Sequence, residues 1–99
     1  MEFLVRMVLS FDHSMPPDER DRYRVAEARR ARELADEGKL KRLWRVPGRR
    51  ANWGIWSADD ATDLHTALSS LPLWPWLDIE VLPLADHEND PIASRGSNA

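Results

Sequence analysis

The sequence predicts an α+β domain in which the elements follow the order β-α-β-β-α-β. Short runs with the apolar pattern of strands and two longer runs with helical period predict this order. In it, a four-stranded antiparallel sheet carries both helices on one face, which is the ferredoxin-like or split βαβ arrangement. The predicted strands are 2–11, 39–47, 50–56 and 76–84.

The first strand is apolar on both faces, so we expect both faces of the sheet to be covered. Asp12 or Ser14 could cap the helix that follows, which is predicted from Pro17 to Glu37. Proline is tolerated at the first helical position, and Gly38 is the expected left-handed residue after the last turn.

The remaining elements follow from turn and capping signals. Pro47-Gly48 predicts a turn, so the second and third strands should form a hairpin. Alternation predicts that Leu40, Arg42, Trp44 and Val46 share one side of the second strand, and Lys41, Leu43 and Arg45 the other. Ser57 is predicted to begin the second helix, with Ala61, Leu64, His65 and Leu68 on its apolar face.

Length and apolar pattern predict one domain over residues 1–84, followed by a polar tail over 85–99. The tail is expected to be disordered or ordered only against a neighbouring subunit. A chain of 99 residues has a modest core. The second apolar face of the sheet therefore predicts a homo-oligomer in which two sheets pair.

Composition excludes several classes of protein. The net charge is −3, so no nucleic-acid partner is expected. The chain has no cysteine, which excludes disulfides and thiolate sites, and its three histidines have no metal-ligand spacing. No apolar run is long enough to span a membrane, and charge interrupts the first six residues. We expect a soluble cytoplasmic protein without metal, and no nucleotide-binding motif supports a cofactor.

Glu27 is the most informative side chain of the sequence. On a helical wheel it shares a largely apolar stripe with Tyr23 and Leu34. Desolvation raises the pKa of a buried carboxyl group, which tunes it to exchange protons near neutral pH. The alternative is a structural ion pair, for which the candidate partners are Arg30, Arg45 and Arg6.

Other polar side chains could complete a site around Glu27. Arg45 alternates with apolar neighbours and could hold a substrate carboxylate, or it could neutralise Glu27. Asn52 could donate a hydrogen bond to a carbonyl oxygen or simply bond the backbone near the turn. His65 could act as a donor or be an ordinary core histidine. Three aromatic residues are predicted to contact the substrate: Tyr23, Trp44 and Trp53. For the two tryptophans, a place in the core or at an interface is the alternative.

Three strings give the sequence a resemblance to a known family. LPLWPWLDIEV, from Leu71 to Val81, resembles the LPLFPYMDIEV signature of muconolactone delta-isomerases. LWRV followed by Gly48, and then Ala51-Asn52, resemble their LWR, glycine and AN segment. These strings occur in order over about residues 1–82, which makes the resemblance specific.

The resemblance implies a ferredoxin-like subunit of the dimeric α+β barrel type, assembled into a homo-oligomer that is typically a decamer. It implies an enzyme of the β-ketoadipate pathway of aromatic catabolism that converts muconolactone to 3-oxoadipate enol-lactone without a cofactor. Glu27 falls on the proton-shuttling glutamate of the family, and Arg45, Asn52 and His65 also fall on family positions.

The sequence departs from the family pattern after the turn glycine. Arg49 and Arg50 replace a histidine and a tyrosine, and Trp53 replaces a tyrosine, so a substituted lactone or another small acid stays open. Two other functions remain as competitors because this fold hosts many activities: a cofactor-free monooxygenase of the same barrel type, and a non-catalytic ligand-binding or assembly module.

Overall fold

The computed structural model describes residues 1–92 as one antiparallel sheet with two helices on one face. The strands follow the order β2-β3-β1-β4, which confirms the predicted ferredoxin-like arrangement. A single 3₁₀ turn, Trp74–Trp76, leads into the last strand. The elements are β1 (Glu2–Leu9), α1 (Pro17–Asp36), β2 (Leu40–Arg45), β3 (Ala51–Ser57), α2 (Ala61–Ser69) and β4 (Leu77–Leu84).

The core lies between the sheet and the two helices. Phe3 and Val5 of β1 face the helices and pair across the strands with Trp56 and Gly54 of β3. A Cβ atom at Gly54 would lie 3.0 Å from both the indole nitrogen of Trp56 and the backbone oxygen of Arg42, so glycine lets the neighbouring strand and this indole approach closely. The helices supply the other buried side chains of this cluster, which include Leu34, Leu64, Ala67 and Leu68.

The opposite face of the sheet is also apolar but carries no helix. Leu4 and Ile55 pair across its centre and are half-buried. Trp44 and Leu82 lie toward its two edges and are 45% and 53% exposed. Strands with two apolar faces normally have both faces covered, and in the single chain this face is open to solvent.

The ends of the helices differ in part from the sequence prediction. Gly38 has a φ of 80° and follows α1 as predicted. The predicted capping of α1 by Asp12 or Ser14 is wrong: the N-cap is Pro16, and Asp12 instead accepts a hydrogen bond from the backbone N–H of Ser14. The second helix begins at Ala61 rather than Ser57, because Asp60 accepts a hydrogen bond from Asp63 N and caps the helix there.

The second strand departs from simple alternation. The sequence placed Leu40, Arg42 and Trp44 on one side, and this is wrong because a bulge between positions 40 and 42 shifts the register. Leu40 therefore packs against the core, whereas Arg42 and Trp44 lie on the open face with the guanidinium 4.6 Å from the ring. The bulge leaves Leu43 and Arg45 on the side of the sheet that faces α1.

Two further predictions concern the chain beyond the domain. Residues 85–92 follow β4 and are exposed, while 93–99 of the predicted tail lie outside the described residues. The domain division at residue 84 therefore stays a prediction.

Within residues 1–92, neither helix combines the length and the apolar character required to cross a membrane.

Candidate active site

A cavity of about 500 Å³ lies between α1 and the helix-facing side of the sheet. Apolar side chains form most of its wall: Met7, Leu9, Ala28, Ala31, Leu43, Leu73 and Leu77. Five polar side chains also line it: Arg24, Glu27, Arg45, Arg50 and Asn52. An apolar cavity with a few convergent polar groups is the usual form of a small-molecule site. A hollow of about 720 Å³ between the N-terminus and residues 84–90 contains none of the predicted site residues.

Glu27 projects from α1 into this cavity and is about half-buried. Its Oε1 accepts a hydrogen bond from the backbone N–H of Leu73, with an N–O distance of 3.1 Å. Burial raises the pKa of the Glu27 carboxyl group, and the hydrogen bond from Leu73 opposes that rise. The carboxylate is thus held in place by one backbone donor and is tuned toward proton exchange.

The structural ion pair that the sequence left open for Glu27 is not formed within residues 1–92. Arg6 lies 3.7 Å from Glu80, and Arg30 lies 3.8 Å from Glu33 and also bonds Ser70. No guanidinium lies within ion-pair distance of Glu27 in this part of the chain, Arg45 included. Without a counterion, the hydrogen bond from Leu73 offsets only part of the desolvation of the carboxylate, which is why its pKa rises.

Arg45 and Asn52 both line the cavity, because the hairpin register pairs them directly across β2 and β3. Asn52 is also opposite Met7 of β1, so it lies on the floor of the cavity. Its Oδ1 is buried and has no hydrogen-bond partner among the described residues. The backbone hydrogen bond proposed as the alternative role of Asn52 is therefore not made by this oxygen. Arg45 is exposed at the open side of the cavity.

Arg24 and Arg50 line the cavity although the sequence analysis did not select them. Arg24 precedes Glu27 by three residues, which places both on the same helical face. Arg50 precedes Asn52 by two residues, which places both on the same side of an extended strand. Both spacings were visible in the sequence, but Arg50 adjoins a predicted turn, where an exposed arginine is the ordinary expectation.

Four predicted site residues lie away from the cavity in the single chain. His65 is exposed rather than buried on α2, and its ring packs edge-on against Trp74 at 5.5 Å. Tyr23 packs edge-on against Trp76 at 4.8 Å and borders a separate shallow hollow. Trp44 and Trp53 pair with each other on the open face of the sheet. No cluster of three or more potential metal-ligating side chains occurs among residues 1–92.

A model of the family described as Muconolactone delta-isomerase matches residues 1–90. The chain belongs to the muconolactone delta-isomerase family. It is 42% identical over 87 residues to the Muconolactone Delta-isomerase of Cupriavidus pinatubonensis, covering 88% of this chain and 95% of that protein. A similar relation, 35% identity over 88 residues, holds for the protein of the same name from Rhodococcus opacus, with 89% and 95% covered.

One solved structure agrees with this assignment, and a second shares the fold. The crystal structure of a muconolactone isomerase superposes with a TM-score of 0.85 at 33% identity, covering 92% of this chain and 95% of the other. A 5-chloro-2-hydroxyhydroquinone dehydrochlorinase from Burkholderia phenoliruptrix superposes with a TM-score of 0.65 at 14% identity, covering 89% of this chain and 97% of that one. At that identity it shares the fold alone.

The raised pKa of Glu27 gives a prediction for stability. The folded chain binds a proton at Glu27 more tightly than the unfolded chain, so the ionised carboxylate destabilises the fold above the raised pKa. This destabilisation disappears as the pH falls through the raised pKa of Glu27 and then below the ordinary pKa of glutamate, where the carboxyl group is protonated in both the folded and the unfolded chain. We therefore expect Glu27→Gln to be more stable than wild type at neutral pH, by a margin that shrinks toward acid.

Urea unfolding at neutral pH and at pH values below the ordinary glutamate pKa of about 4.3 measures this margin. Glu33→Gln is the control, because Glu33 lies on the same helix and is exposed, and its surface ion pair with Arg30 at 3.8 Å contributes little to stability. A Glu27→Gln margin that is constant with pH would contradict the prediction.

Proposed function

We propose that this protein converts muconolactone to 3-oxoadipate enol-lactone, a step of aromatic catabolism in the β-ketoadipate pathway. The observation that carries the proposal is Glu27, a half-buried carboxylate without an ion-pair partner in residues 1–92, inside a cavity of small-molecule size. Family membership supports it, since the curated relatives reported above bear the name Muconolactone Delta-isomerase.

The reaction requires one proton to move across a small ring. In the proposed mechanism, the Glu27 carboxylate removes the ring proton beside the ring oxygen, and the electron pair moves through the conjugated ring to the lactone carbonyl oxygen. The resulting dienolate takes the proton back from Glu27 at the carbon next to the carbonyl. One carboxyl group with a raised pKa can serve both steps, and the chain's own groups account for each proton movement.

The remaining site residues receive roles according to their place. Arg45 is proposed to hold the carboxylate of the substrate at the open side of the cavity, where a planar guanidinium can bind both oxygens. Asn52 is proposed to contact the lactone from the floor of the cavity. His65, Tyr23, Trp44 and Trp53 do not line the cavity, so no contact with substrate within one chain is proposed for them.

The direct test is to mix the purified, metal-stripped protein with muconolactone in deuterated water and to follow the ring protons by NMR. We expect conversion to the enol-lactone, with deuterium entering next to the carbonyl to the extent that Glu27 exchanges its proton with solvent. A folded protein that leaves muconolactone unchanged would contradict the proposed function. The cytoplasmic location stays a prediction that cell fractionation would test.

We also propose that the protein is a homo-oligomer built from sheet-paired dimers, with a decamer as the expected assembly. The open apolar face of the sheet supports this proposal, because Leu4, Ile55, Trp44 and Leu82 present apolar surface there. Contiguous exposed apolar surface of this kind marks interaction sites in soluble proteins.

Leu82→Lys should lower the oligomeric mass measured by size-exclusion chromatography with light scattering. A lysine charge there would be desolvated between two paired sheets, whereas in the isolated chain position 82 is 53% exposed and tolerates it. Val25→Lys is the control, since Val25 is 63% exposed on α1, away from the sheet, and its substitution should leave the sheet-paired dimer intact. A wild-type monomer would contradict the proposed pairing.

A further inference from the structure

The cavity contains more positive charge than one substrate carboxylate would balance. Arg24, Arg45 and Arg50 line it together with a single carboxylate, that of Glu27, which leaves an excess of two positive charges. Arg24 is partly engaged, because it lies 3.9 Å from Asp21 and over the ring of Phe11. Arg45 and Arg50 form no ion pair with any residue in the range 1–92, so both guanidiniums are available to a ligand.

The hairpin between β2 and β3 fixes the backbone positions of Arg45 and Arg50. The backbone C=O of Arg50 accepts a hydrogen bond from Leu9 N at 2.8 Å, which ties it to the end of β1. Val46 N donates to Ala51 O at 3.0 Å and closes the hairpin between them. Arg45 and Arg50 therefore lie on opposite arms of one turn, and both line the same cavity. Both are exposed, so they lie at its open side.

The proposed isomerisation creates a second negative charge on the bound molecule. When the C–H bond beside the ring oxygen breaks, the proton passes to Glu27, which becomes neutral, and the electron pair moves to the lactone carbonyl oxygen. The dienolate then has two anionic groups, the original carboxylate and the carbonyl oxygen. The total charge of site and ligand is unchanged, but the ligand has become a dianion next to a neutral Glu27.

We propose that Arg50 is a catalytic residue that stabilises the dienolate oxygen, while Arg45 holds the carboxylate. This inference rests on the proposed function and deepens it, because it assigns the charge that develops during the reaction to a named donor. A cation aimed at charge that appears only in the transition state raises kcat, whereas one that binds a charge already present in the substrate lowers KM. Arg50 should therefore act on kcat.

Arg50→Gln tests the proposal through the split between kcat and KM. We expect kcat to fall at least about tenfold with little change in KM, since the lost donor would contact charge that is present only in the transition state. Arg50→Lys should recover part of the loss because it restores the charge. Arg49→Gln is the matched control, because Arg49 is adjacent, exposed and outside the cavity, and its kcat should equal that of wild type.

A binding measurement tests the same assignment without turnover. trans,trans-Muconate and sorbate have the same six-carbon diene chain, but the first carries a carboxylate where the second carries a methyl group. Wild type should bind the dicarboxylate more tightly, and Arg50→Gln should lose that preference while still binding sorbate as wild type does. Thermal melts of each variant confirm that the fold is retained.

The outcomes separate the two proposals. Wild type that does not turn over muconolactone overturns the proposed function, and the preference for the dicarboxylate then still reports on Arg50 as a second anion site. Normal kcat in Arg50→Gln, on a wild type that is active, overturns the role of Arg50 and leaves the isomerase intact. A rise in KM at unchanged kcat also overturns it, because Arg50 would then bind a charge already present in the substrate.

Discussion

Glu27→Gln is expected to lower kcat by roughly 10³-fold or more, because general acid–base catalysis by a positioned side chain typically contributes about 10²–10⁴-fold and this one carboxyl group serves both proton transfers. Glutamine keeps the shape of the side chain and can still accept the hydrogen bond from Leu73 N, but it cannot take up a proton. KM should change little. The variant is thus expected to lose proton transfer while it keeps its fold and its affinity for substrate.

Single-turnover or steady-state assays by NMR or ultraviolet absorbance measure this loss. Glu33→Gln, on the exposed side of the same helix, should retain wild-type activity. Full deuterium incorporation next to the carbonyl in the residual reaction in deuterated water would further tie proton transfer to Glu27, because the proton would then come from solvent. If the glutamine variant retained near-normal kcat, another group would have to move the proton, and the mechanism proposed for the cavity would be wrong.

The sequence predicted the fold well where local rules agree with tertiary structure. The order of the elements followed from two apolar periodicities, and Gly38 ended α1 as its left-handed backbone requires. The face assignment of β2 failed because a bulge is one extra residue, and alternation alone does not show where it falls. Asp60, not Ser57, set the start of α2 because capping depends on which side chain reaches the free N–H groups.

The site was predictable from the sequence only where a residue type is unusual for its position. Glu27 was selected because a carboxylate in an apolar stripe is exceptional, and the structure places it in the cavity. Arg50 adjoins the predicted turn, and no sequence signal shows that it borders a cavity; in the structure it lines the cavity and is still exposed. His65 was predicted on the apolar face of α2 but is exposed. The buried face of α2 consists of Leu64, Ala67 and Leu68, which is narrower than the predicted face and excludes the histidine.

Arg45→Gln is expected to lower kcat/KM by about 10- to 100-fold through a higher KM, since hydrogen bonds to charged groups are worth roughly 1.5–3 kcal/mol. The substrate carboxylate bears the same charge before and during the reaction, so a group that holds it binds both states equally. Saturating substrate should therefore restore kcat. Lys41→Gln is the control, because Lys41 is exposed on the same strand and does not line the cavity.

Ionic strength provides a second measurement of the same assignment. Arg45 is exposed, and salt screens attraction between exposed charges over about 8–10 Å at ordinary ionic strength, so the wild-type KM should rise with added salt. The KM of Arg45→Gln should rise less steeply, because one of the attracting charges is gone. A fall in kcat at unchanged KM would instead assign Arg45 to the developing charge. Measured side by side, the Arg45 and Arg50 variants thus decide which guanidinium binds the charge that the substrate brings and which binds the charge that the reaction creates.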